Sequence, residues 1–304
     1  MSTPFESPPT GGRPSPAETL AHQLLAALAQ HRIATTSQLH ELLRPHARLQ
    51  TLSAPLNKLR HEGLVDAAVL PASNRSRLWF LTREGARLTR DFPALRGRPP
   101  YPITTATAAS LKTPHTLTVL RTHLAFVTDA RQRGDEHGPW DWTPEVSHPL
   151  GDGERLIADA LMHYTLTTDH QRTQLRAFIE VDRATMSSER LATKLIEYAR
   201  LWTYEPQIVG RPRTRQPAAP GPIWLRWYPV FPRVLVVLTG ASRTVLGNRI
   251  SDLQAMATEH PLVAALARQV PMGAAILDDL ENPGPTGDVW KPLTGGKARP
   301  WTEL

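Results

Sequence analysis

The segment Phe178-Ile179-Glu180-Val181-Asp182 constrains this chain more than any other. The run from Leu175 to Val181 is apolar enough to predict a strand, yet it ends in two carboxylates. Side chains alternate along a strand, so Glu180 and Asp182 project to one face and Val181 to the other. A second acid, Asp159, sits in the short apolar run Leu156–Leu161, just after a turn at Gly151-Asp152-Gly153, and Glu145 follows a Trp-rich segment. Beyond Asp182 a turn leads into a helix capped near Ser187, with Leu191, Leu195, Tyr198 and Trp202 on its packed face and Lys194 at the edge of that face. Carboxylates from adjoining strands can converge on a hard divalent cation such as Mg²⁺ or Mn²⁺. The plainer reading stays open beside it. Asp159 would then accept from backbone N–H groups, Glu180 and Asp182 would pair with Arg183 or Arg176, and Lys194 would pair with Glu197 at i,i+3 spacing.

The surrounding pattern predicts an α/β (α+β) domain. Arg233–Thr239 is a continuous apolar strand, Leu246–Glu259 a helix and Val270–Leu277 another strand, with a Pro/Arg-rich loop at 211–222 ahead of them. His115 opens a long helix that ends near Gly134, and His115 and His123 stand more than two turns apart on it, too far to share an ion. The tail from 283 lacks periodicity, and Trp290 is its candidate anchor.

The first hundred residues read differently. They hold 13 Lys/Arg against 7 Asp/Glu, so six of the seven net positive charges lie there. Arginine-rich usage from a GC-rich genome would raise the charge without concentrating it at one end. The concentration therefore points to an anionic partner for this part. Leu20, Leu24, Leu25 and Leu28 recur at helical spacing, Thr35, Thr36 and Ser37 offer caps for a helix with Leu39, Leu42 and Leu43, and a third helix runs from near Ser53 to Glu62. Pro55 is tolerated there only in the first turn. Gly63 stops that helix, and two strands follow, separated by a turn at 71–76.

No run approaches the eighteen or so apolar residues of a membrane span. The absence of cysteine excludes disulfides and thiolate chemistry, and it fits a cytoplasmic protein. Neither a G-x-G-x-x-G nor a P-loop pattern is present. The expected organisation is a disordered leader (1–16), an N-terminal module (17–92), a Pro-rich linker (93–113), an α/β domain (114–282) and a tail (283–304).

Three helices followed by a hairpin with a basic tip resemble a winged helix-turn-helix. Leu56-Asn57-Lys58-Leu59-Arg60-His61-Glu62-Gly63-Leu64-Val65 resembles the recognition helix and first wing strand of bacterial regulators, and Thr82-Arg83-Glu84-Gly85-Ala86 the helix start after the wing. The resemblance implies that Asn57, Lys58, Arg60 and His61 face the major groove of double-stranded DNA and that Arg75 and Arg77 lie on the wing. The alternative use of such a module is to form a homodimer. The order Asp159, Glu180-x-Asp182, then helix with Lys194 resembles the PD-(D/E)XK restriction-endonuclease core. One departure stands out: Asp182 occupies the position two residues after the central acid where the lysine usually lies, so Lys194 would have to reach the site from the helix.

Phe178-Ile179-Glu180-Val181-Asp182-Arg183-Ala184-Thr185 with Leu191, Lys194, Leu195 and Tyr198 is similar to the hallmark segment of the replication-relaxation family. Pro114-His115-Thr116-Leu117, Glu145 and the Gly-Pro…Val-Trp tail support the match. Members are associated with plasmid replication and relaxation and are similar to plasmid relaxases of restriction-endonuclease fold. The resemblance implies Asp159, Glu180 and Lys194 as catalytic residues of a divalent-metal-dependent DNA nickase. It implies metal ligation by Glu145, Asp159, Glu180 and Asp182, and plasmid DNA as partner. A non-catalytic replication factor or transcriptional regulator with a degenerate nuclease domain is the alternative. A tyrosine relaxase using Tyr164 or Tyr198 is disfavoured, because no His-hydrophobe-His motif is present and Tyr198 falls on the packed helical face.

Overall fold

The computed structural model describes residues 19–69, 77–95, 102–104, 113–169, 171–185, 187–206 and 221–304. The leader, Arg75 (expected on the wing), most of the 93–113 linker and most of the Pro/Arg-rich loop lie outside the described residues. The chain divides into two compact units, one comprising Thr10–Pro144 with Thr165–Gln171 and the other Glu145–Tyr164 with Arg172–Leu304. Helices accompany two separate sheets, an α+β fold.

The first unit begins with α1 (Leu20–His31), β1 (Ile33–Thr35), α2 (Thr36–Leu43) and α3 (Ser53–His61). Thr35 closes a capping box with Gln38: its hydroxyl accepts from the Gln38 N–H, and the Gln38 side chain accepts from the Thr35 N–H. Pro55 lies in the first turn of α3, and Leu52, Leu56 and Leu59 are buried as their spacing predicts. The strands β2 (Val65–Val69) and β3 (Arg77–Leu81) form an antiparallel pair, and β1 adds on the other edge of β3 to give the order β1-β3-β2. Alternation of two strands alone did not suggest the third, because β1 is only three residues long. Trp79 fills the middle of this sheet, with its indole N–H donating to Thr36 Oγ1.

The next helix, α4 (Arg83–Thr89), is held tightly to the hairpin. The Thr82 hydroxyl accepts from the Gly85 N–H as N-cap, and is 2.6 Å from the Gly63 carbonyl, to which it donates. A Cβ at Gly85 would stand 2.0 Å from the Leu64 carbonyl oxygen, so only glycine fits there. That contact explains the Gly of the Thr-Arg-Glu-Gly-Ala segment. The long helix α5 (Thr113–Arg133) buries Leu120, Leu124 and Val127 in the same apolar core as Leu24, Leu28, Leu56 and Trp79. His123 on α5 is fully buried, stacked on Trp142 and flanked by His31 and His137 with ring centroids 5.3 and 5.2 Å away. Its role is structural, and burial holds its pKa well below the usual histidine value.

The second unit is organised by a six-stranded sheet of order β4-β5-β6-β7-β8-β9. Its strands are β4 (Trp142–Gly151), β5 (Glu154–Thr167), β6 (Arg172–Asp182), β7 (Arg233–Leu238), β8 (Met272–Ile276) and β9 (Lys291–Pro292). The β4–β5 turn uses three consecutive positive φ angles, 90°, 49° and 79°, at Gly151, Asp152 and Gly153, which two glycines make possible. From β6 to β8 the strands are parallel, with Glu180 opposite Val236 and Asp182 opposite Leu238, while β9 returns antiparallel. Parallel neighbours need crossovers, and these contain α6 (Ser188–Thr203) and then α7 (Arg243–Glu259) with α8 (Pro261–Ala267). A last short helix, α9 (Leu277–Glu281), follows β8 directly. The core joins Phe178, Leu191, Leu195, Tyr198, Val234, Val236 and Leu253. Trp290 is fully buried and its indole donates to Pro285 O. No helix of the described residues is long and apolar enough to cross a membrane.

Candidate active site

Two elements place the chemistry. β6 ends at the carboxyl side of a sheet whose strands β6–β8 run parallel, and α6 starts six residues later. Ser187 caps α6, accepting from the Arg190 N–H. The apolar positions Leu191, Leu195 and Tyr198 then face the sheet, which brings Lys194, on the border of that face, back over β6 and β5.

Lys194 Nζ stands 3.6 Å from Glu180 Oε1 and donates to the Ile157 carbonyl at 2.6 Å; Glu197 Oε2 lies 3.8 Å away, so the i,i+3 pair forms as well. The same Glu180 oxygen accepts a 2.7 Å hydrogen bond from the Tyr198 hydroxyl. Asp159 Oδ2 accepts from the Val181 N–H at 2.8 Å, which ties the β5 acid to the backbone beside Glu180. The structure therefore brings Asp159, Glu180 and Lys194 together and adds Tyr198, whose fully buried ring also packs against Phe178.

The electrostatics of Glu180 are decided by burial. Only 4% of it is exposed, and desolvation pushes its pKa up to about 8, with the Asp159 charge and, less, Glu197 acting in the same direction. Lys194 and the Tyr198 hydroxyl oppose the shift and do not overcome it. The Tyr198 phenol is itself pushed well above its usual range, first by burial and then by the Glu180 charge.

Glu145 lies on β4 and Asp182 at the end of β6. Glu145 is exposed on β4 at a φ of 51°, and Asp182 Oδ2 accepts from Arg249 on α7 at 2.6 Å. Among the described residues no group of three or more His, Cys, Asp and Glu has the arrangement to hold a metal ion. The donor set therefore fits a hard cation only in the form in which Asp159 and Glu180 supply one carboxylate each and water completes the shell, an arrangement usual for Mg²⁺.

In the first unit Asn57, Lys58, Arg60 and His61 are all exposed on α3. Asn57 Oδ1 accepts from Arg77 at 3.2 Å, Lys58 lies 4.0 Å from Glu62, and Arg60 pairs with Asp66 at 3.0 Å.

Sequence reasoning did not find the Tyr198–Glu180 contact, because a tyrosine at helical spacing among leucines reads as core. It also missed Arg249 as the partner of Asp182, since nothing local links positions 67 residues apart.

Comparison with known proteins adds one match. No curated protein and no solved structure matches the chain. The profile of the replication-relaxation family covers residues 25–209, more than half of the chain, from α1 past the end of α6. With Glu180, Lys194 and Tyr198 inside the matched stretch, the chain belongs to the replication-relaxation family.

Proposed function

We propose that this protein acts on plasmid DNA during replication or relaxation, holding duplex DNA through its first unit and hydrolysing a phosphodiester with its second. The observation that carries the reading is the 3.6 Å approach of Lys194 to Glu180, with Asp159 close enough to act on the Glu180 charge. Asp159 and Glu180 would hold a Mg²⁺ or Mn²⁺ ion, whose contribution when bound is to activate water and stabilise charge on the phosphate. Lys194 would orient the attacking water or neutralise charge on the phosphate. Water adds to phosphorus, one P–O bond breaks, and the strand is left nicked.

The reading of the first unit as a winged helix-turn-helix rests on the exposed, basic face of α3 and the adjoining hairpin. Asn57, Lys58, Arg60 and His61 would enter the major groove and Arg77 would contact phosphate from the wing strand. The contacts of Arg60 with Asp66 and Lys58 with Glu62 are exposed ion pairs, weak enough for phosphate to displace them.

Incubation of supercoiled plasmid with the protein and Mn²⁺ tests the catalytic half. Open circles are expected from the wild type and none from Asp159→Ala or Glu180→Ala; equal nicking by those variants removes the assignment. Duplex binding tests the other half. Lys58→Ala is expected to weaken it on all sequences and to lower the slope of log K against log salt by about one. Unchanged binding would move the interface away from α3 and leave the unit a role in dimerisation.

A further inference from the structure

We propose that Tyr198 is a positioning residue for the cation site and not a nucleophile: its hydroxyl holds Glu180 Oε1, so that the other oxygen of the same carboxylate is the one turned to the metal. The inference rests on the reading of Asp159 and Glu180 as metal ligands. Its geometry comes from two contacts. The Tyr198 hydroxyl is 2.7 Å from Glu180 Oε1, and Lys194 Nζ approaches that same oxygen. A carboxylate anchored through one oxygen by a rigid donor has lost most of its rotational freedom, and the second oxygen is presented in one direction. The ring is locked too. Tyr198 is fully buried, with the Phe178 ring tilted against it at 5.3 Å between centroids and Leu195 and Ala199 of the same helix in the same core.

The same facts argue against attack by the phenol on phosphorus. The hydroxyl is out of solvent and already donates to Glu180. A nucleophile needs an open line to the phosphate, and the phenol faces the carboxylate instead. Outer-sphere partners of metal ligands govern affinity more than fold, and their loss typically lowers metal affinity or activity by about 10- to 100-fold.

Tyr198→Phe in the full chain is the test, read by Mn²⁺ titration and by melting with and without cation. The expected result is Mn²⁺ binding weakened by about tenfold or more, with nicking that returns toward the wild-type rate at saturating Mn²⁺. A variant that binds Mn²⁺ as the wild type does makes Tyr198 a packing residue and overturns the proposal. An SDS-stable protein–DNA adduct formed by the wild type and lost in Tyr198→Phe also overturns it, by making the tyrosine the nucleophile. A wild-type chain that neither binds Mn²⁺ nor nicks plasmid overturns the metal-site reading itself, a separate outcome. Should the variant not fold, fluorotyrosine encoded at position 198 of the otherwise unchanged chain gives the answer: its ¹⁹F resonance shifts on addition of Mg²⁺ if the hydroxyl supports a ligand, and a stationary resonance counts against the proposal.

Discussion

Lys194 reaches Glu180 from the helix after the strand, its Nζ 3.6 Å from the carboxylate Oε1, while Asp182, two residues beyond Glu180 on the strand, is taken by Arg249. A lysine at 182 would have stood next to the acid along the strand. Here the basic group arrives through the packing of α6, which depends on Leu191, Leu195 and Tyr198 seating that helix on the sheet.

The buried Glu180 makes stability depend on pH in a defined sense. Its folded pKa, about 8, lies above the unfolded value near 4.5, so the folded state retains a proton that the unfolded state gives up between those limits. Stability from this group is full below pH 4.5 and is lost as pH rises through about 8. Glu180→Gln, which keeps an acceptor for Tyr198, lacks this dependence. Urea titrations at pH 5 and pH 8.5 are expected to show the variant gaining on the wild type at the higher pH, by an amount on the order of a few kcal/mol. A constant difference between the two chains would contradict the burial of the carboxyl.

His148 has the opposite sign. It is buried against Phe178, Trp227 and Tyr228, its Nε2 hydrogen-bonded to the Tyr228 hydroxyl at 2.9 Å, and desolvation with a smaller effect of Arg155 holds its pKa down at about 4. The unfolded chain takes up a proton near pH 6.5 that the folded chain refuses, so stability present above 6.5 is lost as pH falls toward 4. His148→Gln is expected to be less stable at pH 7, because the packed ring is gone, yet to lose less than the wild type between pH 7 and pH 5 in denaturant melts. A parallel loss in both chains would place the acid sensitivity elsewhere.

Gly85 joins α4 to the hairpin, and the joint leaves no room for a methyl group. With a Cβ 2.0 Å from the Leu64 oxygen, backbone must move, so Gly85→Ala is expected to destabilise the first unit by roughly 3 kcal/mol or more. Thr35→Ala, which removes only a helix cap, is the control at about 1 kcal/mol. Chemical denaturation of the two variants under one set of conditions checks the order; an equal loss would mean that the hairpin shifts freely.

Much of this was legible in the sequence for identifiable reasons. The helices announced themselves through leucine spacing and through Thr35 and Ser187 as caps, β7 through an unbroken apolar run, and β6 through the apolar Ala177–Ile179 ahead of its acids. β4 was not legible as a strand, since Pro144 and the left-handed Glu145 interrupt its pattern. Asp159, Glu180 and Lys194 follow from the order strand–acid, strand–acid, helix–lysine. The contacts that distinguish them from Asp182 and Glu145 are long-range: Arg249 comes from α7 and Tyr198 from the buried face of α6, and neither leaves a local signal.

The most direct test of catalysis at Glu180 and Lys194 is the nicking rate of Lys194→Ala on supercoiled plasmid in Mn²⁺, taken with its affinity for the same DNA in the absence of cation. Expected are open circles from the wild type, a rate lower by about 100-fold in the variant, and unchanged DNA affinity. Nicking by Lys194→Ala at the wild-type rate, or no nicking by the wild type, would remove the lysine and its carboxylate partner from the chemistry.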